Sequence, residues 1–133
     1  HGDFFLDNLI YFKKKLFVID HQDLHYNHPC LDIASLIFDA RRTYSPKLEE
    51  KVIKDYARKS GRSLSQFRDD IHMVGLARNL RILGNWVSLY RAGKTHYLKR
   101  FRKHTWLQIL KHAEHLRLWD LRELFEEIYK KTK

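Results

Sequence analysis

The chain has 133 residues, which suits a single domain, and its 44% hydrophobic and 14% aromatic content excludes general disorder. No apolar run approaches the roughly 20 residues that span a bilayer, and the single cysteine, Cys30, excludes an internal disulfide, so we expect a soluble, cytoplasmic protein without a membrane partner. The net charge of +10 comes mainly from residues 41–133, where basic residues alternate with apolar ones as on a solvated helical surface, so we expect no nucleic-acid partner.

The first twenty residues combine a polar loop with a predicted hairpin. Asp3 precedes Asn8 by five residues. Two apolar runs, Leu9–Phe12 and Leu16–Ile19, then flank a turn of three lysines, and such runs predict antiparallel strands. Asp20 follows the second run directly. The hairpin would therefore bring Asn8 and Asp20, at its open ends, side by side.

The order Asp3, Asn8, Asp20 has the spacing of a phosphoryl-transfer site. A kinase must orient an acceptor hydroxyl, take up its proton and neutralise phosphate charge with metal ions. A carboxylate such as Asp3 suits the role of base. The amide oxygen of Asn8 and the carboxylate of Asp20 are ligands that Mg²⁺ prefers. The segment therefore predicts the catalytic half of an enzyme that uses ATP and Mg²⁺.

Other polar residues near these three have more than one interpretation. Asp23 lies three residues after Asp20 and could contact the metal through water or simply face solvent. Asp7 is more readily a surface residue of the loop. Zinc at His21, His25 and His28 is disfavoured, because zinc ligands usually form tight sets of Cys and His.

The remainder of the chain is predicted to be helical from its apolar periodicity and its start and stop signals. Expected are helices over Asp32–Phe38 with Arg41-Arg42 at the C-terminus, from a Ser45 cap and Pro46 to about Lys59 before Gly61, from a capping box at Ser63 and Gln66 to Arg91, from about His96 to Glu114, and from Leu118 to Lys131. Trp86, Trp106 and Trp119 are expected in the core, and His104, His112 and His115 at the surface.

Three motifs together resemble the aminoglycoside phosphotransferase family, a small-molecule branch of the protein-kinase-like fold. They are His1-Gly2-Asp3 with Asn8, Ile19-Asp20 with Asp23, and Pro29 with Asp32-Ile33-Ala34. The resemblance implies that Asp3 is the catalytic base and that Asn8 and Asp20 hold Mg²⁺ and thereby ATP. It also implies structural support from His1, and from Asp32 as a brace of the catalytic loop at the start of a helix.

The resemblance also implies a fold class, mostly α with a short β-hairpin, as in the C-terminal lobe of a kinase-like fold. Residues 1–40 would hold the catalytic loop, the hairpin and the metal motif, and residues 41–133 a helical bundle, all in one domain. The glycine-rich loop and its partner Lys and Glu, which belong to a preceding lobe, are not found. We therefore expect an upstream N-lobe in the same protein and an inactive chain without it.

A finer resemblance concerns the acceptor. The stretches Ile19–Asp23 and Arg78–Gly84 are similar to bacterial cell-wall sugar kinases that phosphorylate the anomeric hydroxyl of N-acetylmuramate and N-acetylglucosamine. Arg78 and Asn79 would then bind a carboxylate or acetamido group, and Trp86 would stack on the sugar. Two alternatives remain open: an aminoglycoside, choline or homoserine kinase, and a lobe without catalysis that acts as a binding module.

Overall fold

The computed structural model describes residues 1–22 and 24–132. Within them, a short 3₁₀ turn at Leu6–Asn8 leads into two strands and five helices. The elements are β1 Leu9–Phe12, β2 Lys15–Val18, α1 Leu31–Ile37, α2 Pro46–Ser60, α3 Leu64–Arg91, α4 His96–His115 and α5 Trp119–Lys131. The predicted fold class, mostly α with one short hairpin, is confirmed.

The hairpin is tighter than expected. Phe12 pairs with Lys15 and Leu9 with Val18, so the turn consists of Lys13 and Lys14 alone. Both residues have positive φ, 47° and 61°, as a two-residue turn matched to the strand twist requires. Since a left-handed backbone costs a residue with a Cβ roughly 1–2 kcal/mol, strand pairing must hold this turn in place.

The two ends of α2 agree with their local sequence signals, whereas the signals at Ser63 and at Arg41-Arg42 were misleading. The Ser45 side chain accepts the Leu48 N–H at 3.2 Å, and α2 stops before Gly61, whose φ is 68°. The capping box at Ser63 was wrong, because its side chain makes no cap hydrogen bond; the exposed first turn of α3 can donate to water instead. Arg41 and Arg42 also lie beyond α1, which already ends at Ile37.

The core forms around α3, which contacts α1, α2 and α4, while α5 packs on α4. Two buried apolar clusters result. One joins α1, α2 and the first half of α3, and the other joins the second half of α3 to α4. The clusters are Cys30, Ala34, Ile37, Phe38, Ile53, Ala57, Phe67 and Ile71, and Leu76, Leu83, Trp106 and Ile109. None of the described helices is long and apolar enough to cross a membrane.

Burial corrects three sequence predictions. Trp86 and Trp106 are buried as expected, but Trp119 is 54% exposed, because it begins α5, a helix with no buried residue. His112 was expected at the surface and is fully buried. His104 is half-buried, and its Nε2 hydrogen-bonds the carbonyl of Asp39 at 3.1 Å.

A pair of buried histidines joins α3 to α4. The Nδ1 atoms of His72 and His112 are 3.0 Å apart, so one ring donates and the other accepts. The ring of Phe38 lies edge-on to His112, with centroids 4.5 Å apart. A Cβ at Gly75 would come within 2.9 Å of the His112 ring, so glycine is needed at this close approach. Burial lowers the pKa of His72 to about 2 and that of His112 to about 3.

We predict that the fold loses stability as the pH falls below the ordinary histidine pKa of about 6.5. Below that pH the unfolded chain takes up protons at both histidines and the folded chain does not, which costs roughly 1.4 kcal/mol per pH unit for each. Urea unfolding at a series of pH values would measure this slope. His112→Gln should flatten it and the exposed His96→Gln should not; an unchanged slope in His112→Gln would contradict the assignment.

Candidate active site

The loop that carries Asp3 is closed by the side chain of Asn8. Asn8 is buried, and its Nδ2 donates to the backbone carbonyl of Asp3 at 2.9 Å. The same carbonyl accepts the N–H of Phe5 at 3.1 Å. Because the bond uses the amide nitrogen of Asn8, its oxygen remains usable as a cation ligand.

Asp20 lies at the open end of the hairpin, as expected. The N–H of Ile19 donates to the carbonyl of Asn8 at 3.0 Å, which extends the strand pairing one step beyond Leu9 and Val18. Asp20 follows in a left-handed conformation, with φ of 65°, and is exposed. A residue with a Cβ rarely adopts this backbone, and such strain is concentrated at functional sites.

Asp32 connects the loop to the helical core. Its Oδ1 accepts the N–H of Gly2 at 3.0 Å, and its Oδ2 lies 2.8 Å from the backbone nitrogen of His1. The His1 ring in turn donates from Nε2 to the carbonyl of Ile19 at 2.9 Å. One carboxylate in the first turn of α1 therefore holds both the segment before Asp3 and, through His1, the segment before Asp20. These are the contacts that a bracing role requires.

A second clamp on the loop comes from the residues after α1. The Asp39 carboxylate is buried and accepts the backbone N–H and the Nε of Arg41, both at 3.0 Å. The Arg41 guanidinium lies 3.9 Å from the ring centroid of Phe5. Asp7, exposed as expected, forms ion pairs with Arg41 and Arg42. The sequence prediction missed this clamp, because it placed both arginines in a helix.

A cavity of about 700 Å³ opens beside Asp3. The loop that carries Asp3, the segment before α1 and one face of α3 line it. Its described lining residues are Gly2, Asp3, Leu24, His25, Asn27, His28, Leu31, Val74, Ala77, Arg78 and Arg81. The α3 residues recur at the spacing i, i+3, i+4, i+7 of a single helix face. That stripe was the available signal for Arg81, which the sequence prediction missed together with Asn27 and His28.

The three residues predicted to contact the acceptor are placed differently from one another. Arg78 lines the cavity, and its Nε and Nη1 are buried without a hydrogen-bond partner in the described chain. Asn79 is fully buried and donates to the carbonyl of Phe38 at 3.3 Å. Trp86 packs against Tyr97 and Phe101 in the core. Neither Asn79 nor Trp86 is among the described lining residues, and Asp23 lies outside the described residues.

Arg78 places a charged guanidinium group in a buried position. Burial lowers the pKa of its guanidinium to about 10, and the carboxylates of Asp39 and Asp3 offset part of this effect. The side chain therefore stays charged at neutral pH, while its Nε and Nη1 have no hydrogen-bond acceptor among residues 1–22 and 24–132. Such a group is costly unless an acceptor reaches it.

Two comparisons with known proteins identify the family of this chain. The model of the phosphotransferase enzyme family, APH, matches residues 1–69, so the chain belongs to that family. Its helices and hairpin are consistent with the C-terminal lobe of a kinase-like fold. The chain is similar to the N-acetylmuramate/N-acetylglucosamine kinase of Caulobacter vibrioides, with 33% identity over 104 residues. Those residues are 73% of this chain and 29% of that protein, so the chain matches less than a third of the relative's length.

We predict that Asp32→Ala weakens the attachment of the segments before Asp3 and before Asp20 to the helical core. Loss of its two acceptor oxygens should speed amide hydrogen exchange at Gly2 and at Ile19, and lower the free energy of unfolding by about 1–2 kcal/mol. Asp120→Ala is the matched control, since Asp120 also lies in the first turn of a helix. Unchanged exchange at Gly2 and Ile19 in Asp32→Ala would show that the brace is dispensable.

Proposed function

We propose that the protein containing this chain transfers a phosphoryl group from ATP to a hydroxyl of a small molecule, and that the acceptor is the anomeric hydroxyl of a cell-wall amino sugar. The observation that carries the proposal is the position of Asp3. It lines a cavity of a size usual for small-molecule sites, and it is tied by a hydrogen bond to Asn8, next to the hairpin end that bears Asp20. The similarity to an amino-sugar kinase supports the choice of acceptor.

The proposed roles follow from the chemistry of each side chain. Asp3 orients the acceptor hydroxyl in the cavity and accepts its proton. The amide oxygen of Asn8 and the carboxylate of Asp20 are hard oxygen donors, a set that fits Mg²⁺. When bound there, Mg²⁺ would neutralise charge on the phosphates of ATP. His1 and Asp32 fix the positions of these residues through the backbone.

A second lobe is part of the proposal. Kinases of this kind hold the nucleotide between two lobes, and a loop over the phosphates belongs to the other one. The hairpin supports this view, because its apolar side chains are exposed: Tyr11 is 73%, Phe12 58% and Leu16 60% accessible. A two-stranded hairpin with so much exposed apolar surface is stable only marginally by itself. We infer that an upstream lobe of the full-length protein covers it.

The alternatives fit the cavity less well. Its described lining has two guanidinium groups, and Asp3 is its one acid, which disfavours a polycationic aminoglycoside or choline. Homoserine carries a carboxylate but also an ammonium group, for which that lining offers Asp3 alone. A lobe used only for binding would need none of Asp3, Asn8 and Asp20, so the presence of all three favours an enzyme.

We predict that the full-length protein consumes ATP with N-acetylmuramate or N-acetylglucosamine and forms a 1-phosphate. The product would be recognised by NMR from the phosphorus coupling of the anomeric proton. Kanamycin-type aminoglycosides and choline should be poor acceptors. The opposite order of kcat/KM would move the protein to the alternative substrate class, and no turnover with any acceptor would favour a binding module.

Variants of the same protein separate the two proposed roles. Asp3→Asn should lower kcat by roughly 10²-fold or more with nearly unchanged MgATP affinity, because it removes proton acceptance and hydroxyl orientation but no metal ligand. Asp20→Ala should abolish Mg²⁺-dependent nucleotide binding measured by calorimetry. Asp120→Asn, an exposed carboxylate in the first turn of α5 and outside the described cavity lining, is the control. Equal losses of MgATP affinity in Asp3→Asn and Asp20→Ala would refute the division of roles.

A further inference from the structure

The cavity beside Asp3 has a cationic wall. Arg78 and Arg81 stand three residues apart on α3 and both line it, with Asn27 and His28 also in the lining. Among the described lining residues, Asp3 is the only acid. A ligand in this cavity therefore meets a carboxylate base at one side and two guanidinium groups at another.

The guanidinium of Arg78 is part of this wall and lacks, among the described residues, the hydrogen-bond acceptors that a buried cation needs. Arg78 is 5% exposed, and its Nε and Nη1 have no hydrogen-bond acceptor in the described chain. The nearby carboxylate of Asp39 is already committed, since it accepts two hydrogen bonds from Arg41 at 3.0 Å. A buried guanidinium with unmet donors is a site where an anionic group on a ligand gains the most.

Arg81 complements it from a more exposed position. It lies one turn further along the same helix face, where its long side chain can follow a ligand in the cavity. Arginine is well suited to this role, because its planar fork matches a carboxylate. Neutral sugar hydroxyls would offer the two guanidinium groups no charged partner.

We infer, on the basis of the proposed function, that Arg78 and Arg81 form a carboxylate subsite of the acceptor pocket, so that the enzyme selects an amino sugar bearing an acid group. N-acetylmuramate carries such a group in its lactyl ether, and N-acetylglucosamine does not. The anomeric hydroxyl then lies at Asp3 while the lactyl carboxylate lies against α3. The relative is named for both sugars, whereas this wall favours one of them.

The test compares three acceptors with the full-length protein: N-acetylmuramate, its neutral lactyl methyl ester, and N-acetylglucosamine. We expect kcat/KM for N-acetylmuramate to exceed that for both neutral sugars by roughly tenfold or more, as a charge-assisted hydrogen bond allows. In Arg81→Gln the ratio should fall towards one. Arg91→Gln, an exposed arginine at the end of α3 outside the cavity lining, should keep the wild-type ratio.

Arg78→Lys provides a second readout, because it retains the charge but loses the planar fork, and should also reduce the ratio. Turnover of all three sugars with equal kcat/KM, or a ratio unaffected by Arg81→Gln, would overturn the carboxylate subsite and leave the proposed kinase function standing. Absence of ATP-dependent turnover with every sugar would instead overturn the function and the subsite together.

Discussion

The carboxylate of Asp32 holds together the two segments that carry the proposed site residues. The residues proposed for catalysis lie on a loop and at the end of a two-stranded hairpin, neither of which has a core of its own. Asp32 binds the backbone nitrogens of His1 and Gly2, and the His1 ring binds the carbonyl of Ile19. Each such bond contributes only about 1 kcal/mol net to stability. Their main effect is therefore geometric, because a single carboxylate fixes the positions of two segments.

That anchor is itself rigid because of where α1 lies. Ala34 and Ile37 of this short helix are buried in the cluster that α2 and α3 complete. Asp32 precedes both residues in the same helix, so its position follows from the packing of the core. The buried Asp39, which holds Arg41 and through it Phe5, extends the same principle to the far side of the loop.

Helix α3 serves the core and the cavity at once. Phe67 and Ile71 on its inner face are fully buried, and the stripe of Val74, Ala77, Arg78 and Arg81 faces the cavity beside Asp3. Arg78 contributes to both: it is as buried as the core residues, and its charged side chain lines the cavity. The helix therefore sets the distance between Asp3 and any group that the arginines bind.

Local signals predicted most of the fold. The Ser45-Pro46 start and the Gly61 stop of α2 were correct, because capping and backbone conformation are decided within a few residues. Burial of His112 and exposure of Trp119 could not be predicted in this way, since they depend on which helix packs against which. The proposed site residues Asp3, Asn8 and Asp20 were predicted from spacing and resemblance. Helical spacing from Arg78 could have indicated Arg81, whereas the contact between Asp39 and Arg41 required the three-dimensional arrangement.

We propose that this chain is the C-terminal lobe of a two-lobed phosphotransferase. The most direct measurement compares ATP-dependent phosphorylation of N-acetylmuramate by the 133-residue chain alone and by the same chain joined to its natural upstream segment. We predict no measurable product from the chain alone and clear turnover from the joined protein. Product formation by the isolated chain would contradict the account.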